Sequence, residues 1–129
     1  MIVADSSSLV SIVLGEDDAE RHLAALERDD VGISAVSIVE SSIVVESRQG
    51  PDAPRDLTEL IEGIGAKIIA VDAEHAQVAV AAWQTFGKGR HPARLNLGDC
   101  FSYAAARLTG SRLLFKGDDF SRTDIVPVL

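Results

Sequence analysis

The chain has 129 residues, 47% of them hydrophobic and 25% charged, which is ordinary for a soluble globular protein. It fits a single domain spanning residues 1–129, large enough to bury a sizeable core without staples. No apolar run reaches the roughly 18 residues a membrane span needs, and Met1–Ala4 carries no basic flank or cleavage pattern, so neither a membrane partner nor a leader is expected. The lone cysteine, Cys100, makes no internal disulfide and no Cys-rich zinc site, and a reducing cytoplasm is the expected location. The net charge of −8 counts against a nucleic-acid partner, unless gathered carboxylates hold cations that invert the local field.

In chain order, Ile2–Ala4 reads as a short apolar strand, and Ser8–Leu14 as a helix closed by Gly15. Asp17–Arg28 reads as a helix opened by a capping box, with Glu20 three positions after Asp17. Val31–Ser34 is a second strand. Ser37–Gln49 is a helix ended by Gly50-Pro51, and Asp56–Ile64 is another helix. Lys67–Val71 is a third strand. Ala73–Phe86 carries Ala76, Ala79, Val80 and Trp83 at helical spacing, and Gly98–Thr109 carries Phe101, Ala104, Ala105 and Leu108 likewise. Arg112–Phe115 is a fourth strand, and Ile125–Val128 is a candidate fifth. Strands separated by helices predict an α/β fold: a central parallel sheet of four to five strands between two helical layers. Ligands of such sheets bind outside the carboxyl ends of the strands.

That rule directs attention to the acidic residues. Asp5 ends the first strand, and the fourth runs out into Gly117-Asp118-Asp119. Asp99 and Glu40 fall in the first turns of their predicted helices. Each has a plainer reading. Asp5 suits a helix N-cap, Glu40 closes a Ser37-x-x-Glu40 capping box, Asp99 complements a helix dipole, and Asp118-Asp119 suits a turn. Glu40 lies between Val36 and Val44 on a partly apolar face, where an unpaired carboxylate is costly, although Glu46 lies at an apolar edge too. Together the four acidic segments reach one edge of the sheet. Carboxylates gathered there suit hard cations, which bind through one or two carboxylates plus substrate phosphate. Bare, such a cluster repels a phosphodiester; loaded with metal, it attracts one.

Other chemistries fare worse. His22, His75 and His91 have no partners at zinc spacing, and the first two, on helices, are expected to face solvent or cap. There is no nucleophile elbow and no phosphate-binding G-x-x-x-x-G-K-[ST] loop. Cys100 reads as a small buried residue, and Trp83 and Phe86 as core. The Gly87–Arg94 stretch carries Lys88, Arg90, His91 and Arg94 with no acid, so it is either a solvated loop or a grip on a phosphate backbone.

Four stretches carry a resemblance. They are Ile2–Val10 (IVADSSSLV), Ser37–Glu40 (SIVE), Leu95–Ala104 (LNLGDCFSYA) and Leu113–Phe120 (LLFKGDDF), in order over nearly the whole chain. They resemble the VapC toxins of the PIN-domain family, with the Gly98-Asp99-Cys100 segment the most specific piece. The resemblance implies a PIN-like fold and a Mg²⁺- or Mn²⁺-dependent endoribonuclease acting on structured RNA such as tRNA or rRNA. It also implies a homodimer held by a cognate VapB-type antitoxin. Carried over, the acidic residues are Asp5, Glu40, Asp99 and Asp119, with Asp118 a competitor for the fourth place and Ser7 ordering the site. Asp5 and Asp99 are the expected metal ligands, and Lys88, Arg90, Arg94 and Lys116 the expected RNA contacts. Two other classes stay open: an acidic Mg²⁺ phosphotransfer domain, and a non-catalytic interaction module on the same fold.

Overall fold

The computed structural model describes residues 1–129. The chain runs β1 (Ile2–Ala4), α1 (Ser6–Leu14), α2 (Ala19–Glu27), β2 (Val31–Ser34), α3 (Ala35–Gln49), α4 (Ala53–Gly63), β3 (Lys67–Ile69), α5 (Ala73–Phe86), α6 (Leu97–Thr109) and β4 (Arg112–Leu114). The four strands form one parallel sheet in the order β3-β2-β1-β4. Successive strand residues point to opposite faces, and the cores follow that alternation. Ile2, Ala4 and Leu114 pack with Leu9, Leu26 and Leu57 on one face; Val3 and Leu113 pack with Ala79, Cys100 and Ala104 on the other. Helices therefore cover both faces, giving three layers.

The strand order places the site. The chain winds from β1 through β2 to β3, then returns to set β4 on the other side of β1. The winding reverses between β1 and β4, so the crevice at their carboxyl ends is the expected ligand site of an open α/β sheet.

Several local expectations are corrected. Ile125–Val128 is not a fifth strand: Leu113 donates to the Val126 carbonyl at 2.9 Å and accepts from Val128 N–H at 3.0 Å, and the pairing is this single isolated bridge. Helix α2 begins at Ala19 with no side-chain cap, because the Asp18 carboxylate is drawn to Ser11 and His22 instead. Helix α3 begins directly from β2, with Ser34 as its cap (Val36 N to Ser34 Oγ, 3.3 Å), so the Ser37–Glu40 box does not form and Glu40 lies in the second turn. His22 and His75 are buried. Phe86 packs against the core, but Trp83 is 42% exposed, with Arg90 stacked 4.2 Å from its ring centre.

Candidate active site

Asp5 leaves β1 and caps α1, its Oδ2 accepting from Ser7 N–H at 3.0 Å and Ser7 Oγ at 2.6 Å. Its Oδ1 accepts from Ser102 Oγ of α6 at 2.5 Å, and the residue is only 2% exposed. A charged group so buried is tolerable because three donors converge on it. The plain reading of Asp5 as a helix cap holds, and the cap leaves its carboxylate at the crevice.

Asp99 shows the same economy. Asn96 caps α6, and Asp99 closes the box: Asp99 N–H donates to Asn96 Oδ1 at 2.9 Å, and Asn96 N–H to Asp99 Oδ2 at 3.0 Å. Burial pushes the Asp99 carboxyl up to about 7; the Asn96 bond opposes this, and the charges of Asp5, Asp119 and Glu40 add to it. Asp119 thus lies within electrostatic reach of Asp99. Cys100 next along is buried, and its thiol is raised to about 11 by burial and then by Asp99, so it is no nucleophile.

Glu40 is half-buried, and its Oε1 accepts from Ser6 Oγ at 2.5 Å. It is fitted against the start of α6. A methyl group on Gly98 would lie 2.2 Å from Glu40 Oε2, so glycine at this position lets the Glu40 carboxylate reach the crevice.

The basic residues divide. Lys88 lines an apolar groove of about 420 Å³ with Trp83, Leu97 and Phe101, and Arg90 is held on Trp83. Arg94 lies in a polar cleft of about 320 Å³ with Asp118, Asp119 and Arg122. Its φ of 53° makes it the one non-glycine residue in the left-handed region, a conformation worth reading as a positional device. Lys116 stands apart from this group: its ammonium lies 3.3 Å from Asp18 and 3.5 Å from Glu16.

Sequence reasoning missed Ser6, Ser102 and Arg122. Ser102 lies 97 residues from the aspartate it serves, and no local pattern announces such a bond. Arg122 follows the acidic turn directly and was within reach of a charge count.

No three acidic, histidine or cysteine side chains converge tightly enough to cage a metal ion. The donor chemistry nonetheless fits a hard cation that keeps most of its waters, which needs one or two carboxylates and not a cage. Asp5 and Asp99 supply hard oxygens, and the mutual repulsion raising Asp99 is what a bound cation relieves.

A family model for the PIN domain matches residues 2–126. Ribonuclease VapC30 of Mycobacterium tuberculosis is 45% identical over 128 residues, 98% of each chain. The crystal structure of Mycobacterium tuberculosis VapC20, described as a sarcin-ricin loop cleaving toxin, overlays with a TM-score of 0.81 at 20% identity, over 99% of this chain and 98% of that one. A toxin–antitoxin complex from Klebsiella pneumoniae overlays at 0.72 and 20% identity, over 96% and 93%. The fold is that of a PIN-domain protein. The chain belongs to that family and, within it, to the VapC ribonucleases, the toxins of type II toxin–antitoxin pairs.

Proposed function

We propose that this chain, acting as a single PIN-like domain, is a Mg²⁺- or Mn²⁺-dependent endoribonuclease that cuts structured RNA of the tRNA or rRNA kind. The observation that carries the reading is the approach of Asp5, Glu40 and Asp119 to buried Asp99 at the β1–β4 crevice, where burial and then their charges raise its carboxyl. Its relationship to VapC30 supports the same reaction class.

Asp5 and Asp99 would hold the cation. When bound, the ion neutralises the phosphodiester and lowers the pKa of the attacking water. The chain's own residues do the rest. Ser7 and Ser102 fix the Asp5 carboxylate, and Ser6 fixes Glu40 through Oε1, leaving Oε2 to orient the water and take its proton. Asp119 completes the acidic wall. In-line attack at phosphorus leaves a 3′ hydroxyl and a 5′ phosphate. Lys88, Arg90 and Arg94 hold the RNA backbone, joined by Arg122 on the cleft beside Asp119.

The surface supports the proposed partners. Val39 and Ile43 of α3, Val80 and Trp83 of α5, and Leu97 at the start of α6 are large apolar side chains left exposed, which suits a second copy of the chain. A VapB-type antitoxin with arginine in its tail would pair with the crevice carboxylates. No helix is long and apolar enough to cross a membrane, and we place the protein in the cytoplasm beside its RNA.

The test is cleavage of total cellular RNA with Mg²⁺ or Mn²⁺ and with EDTA, mapping new 5′ ends. Discrete metal-dependent cuts by the wild type, absent in Asp5→Asn, are expected. Equal cutting by both proteins would overturn the reading.

A further inference from the structure

We infer that Lys116 is a positioning residue: its ion pair with Asp18 and Glu16 clamps the loop after β4, so that Ser7, Asp5 and Asp119 keep their working arrangement. The inference rests on the ribonuclease reading above, and it removes Lys116 from the RNA contacts that the sequence suggests.

Lys116 is tied at both ends. Its backbone N–H donates to Ser7 Oγ at 3.0 Å, and that hydroxyl donates to Asp5 Oδ2 at 2.6 Å. Its ammonium sits 3.3 Å from Asp18 Oδ1 and 3.5 Å from Glu16 Oε2, on the turn between α1 and α2. Asp18 is itself fixed, accepting from Ser11 Oγ at 2.5 Å and facing His22 Nε2 at 3.4 Å, while His22 Nδ1 meets Ser8 Oγ at 2.8 Å. The anchor is therefore rigid, since Ser8 and His22 are fully enclosed. Immediately after Lys116 the chain turns at Gly117, with φ of 96°, and two residues later delivers Asp119. Glycine at that turn gives no side-chain constraint of its own. On its amino-terminal side the Asp118-Asp119 segment is held by Lys116, through its amide and its ammonium, beside the packing of Phe115 on Phe120.

Surface ion pairs contribute little to global stability. Position is another matter: a displacement of about 1 Å at a reacting group can lower a rate by roughly 10²-fold. The clamp is thus expected to act on turnover far more than on folding.

The two possible roles of Lys116 predict opposite results for Asp18→Asn, which frees the ammonium without removing it. A clamp loses turnover; a phosphate contact keeps turnover and binds RNA as well or better. We would measure kcat, KM and the salt dependence of RNA binding for wild type, Lys116→Gln, Lys116→Arg, Asp18→Asn and the Lys116→Gln/Asp18→Asn double variant. Expected are roughly tenfold lower kcat in Lys116→Gln and in Asp18→Asn, KM within about twofold, and substantial rescue by arginine. The double variant should be no worse than the poorer single one, because both break one contact. A rise in KM for Lys116→Gln, with kcat kept and the salt slope reduced by about 1, would assign a phosphate contact instead. Exchange of the Lys116 amide proton reads the clamp with neither RNA nor metal present. Faster exchange in Asp18→Asn, at unchanged Tm, is expected. If the wild type cuts no RNA, the ribonuclease reading fails while this exchange still decides the clamp; equal exchange in the two proteins overturns it.

Discussion

Two polar regions flank helix α1, and they differ in one respect. On one side Asp5, Glu40, Asp99 and Asp119 meet without an ion pair to any lysine or arginine, and Asp99 is raised to about 7 by burial and by the other three charges. On the other side Ser8, His22, Ser11, Asp18, Glu16 and Lys116 form a chain in which donors meet acceptors and the ammonium faces two carboxylates. In the second region the ammonium offsets much of the carboxylate charge, and every member of the network has a partner. The first is left with surplus charge that the fold alone does not relieve. A buried polar cluster points to function when its charge is unbalanced, not merely when it is polar.

The largest effect should come from breaking the imbalance itself. Asp99→Asn is expected to lower cleavage on the order of 10²–10³-fold, the scale for losing one electrostatic stabiliser. The same change should stabilise the metal-free protein. The Asp99 carboxyl has an ordinary value of 3.8 and a folded value of about 7. Its contribution to stability is therefore fully present below about pH 4 and lost as pH rises through about 7. Thermal melts in EDTA should show the wild type weakening over that window from this group, and Asp99→Asn more stable at pH 8 by on the order of 1–3 kcal/mol. Equal melting temperatures at pH 8 would mean the crevice is not under repulsion.

Next in size is the fit between Glu40 and α6. In Gly98→Ala the added methyl would overlap the Glu40 carboxylate, since its position lies 2.2 Å from Oε2. Glu40 has to swing away, and cleavage is expected to fall roughly 10-fold to 10²-fold at saturating RNA. Alanine is otherwise a better helix former than glycine, so a Tm near or above that of wild type should accompany the loss. Unchanged kcat would show that Glu40 lies outside the reaction.

This contact also marks where the sequence stops being legible. The alternation of strands and helices was readable from apolar periodicity, and with it the sheet edge that gathers Asp5 and Asp119. Asp99 and Asp5 were readable as caps, which they are, and as the site residues proposed above. The serines were not readable as a set: Ser6 serves Glu40 across 34 residues and Ser102 serves Asp5 across 97. Nor was the start of α3, where the chain passes from β2 straight into the helix and Ser34 takes the cap that Ser37 was expected to supply. Periodicity reports which face of an element is buried; it carries no information about which distant hydroxyl arrives there.

A smaller effect is expected from the cations beside the crevice. Arg94→Ala and Arg122→Ala should each raise KM several-fold, leave kcat close to wild type, and reduce the salt slope of RNA binding by about 1. Arg94→Gly is the sharper variant, because it relieves the left-handed backbone while deleting the charge. It should gain stability as it loses RNA affinity. A loss of kcat instead would place the guanidinium in the reaction and not on the backbone of the RNA.

His22, behind the Asp18–Lys116 pair, supplies the smallest effect on cleavage. Burial depresses the His22 pKa below its ordinary 6.5, against the opposing pull of Asp18. A depressed value means the folded protein keeps His22 neutral while the unfolded chain protonates it. Its stabilising contribution is then present above about pH 6.5 and lost as pH falls through the folded value, the opposite sign to Asp99. His22→Ala leaves Ser8 Oγ buried without its 2.8 Å partner, at an expected loss of about 1–3 kcal/mol. Asp18 keeps Ser11 and Lys116, so cleavage per folded molecule should stay within about threefold of wild type. Melts from pH 5 to 8, paired with single-turnover cleavage below the melting temperature, separate the two quantities. A tenfold fall in cleavage by well-folded His22→Ala would mean that His22 is needed to hold Asp18 in the Lys116 clamp.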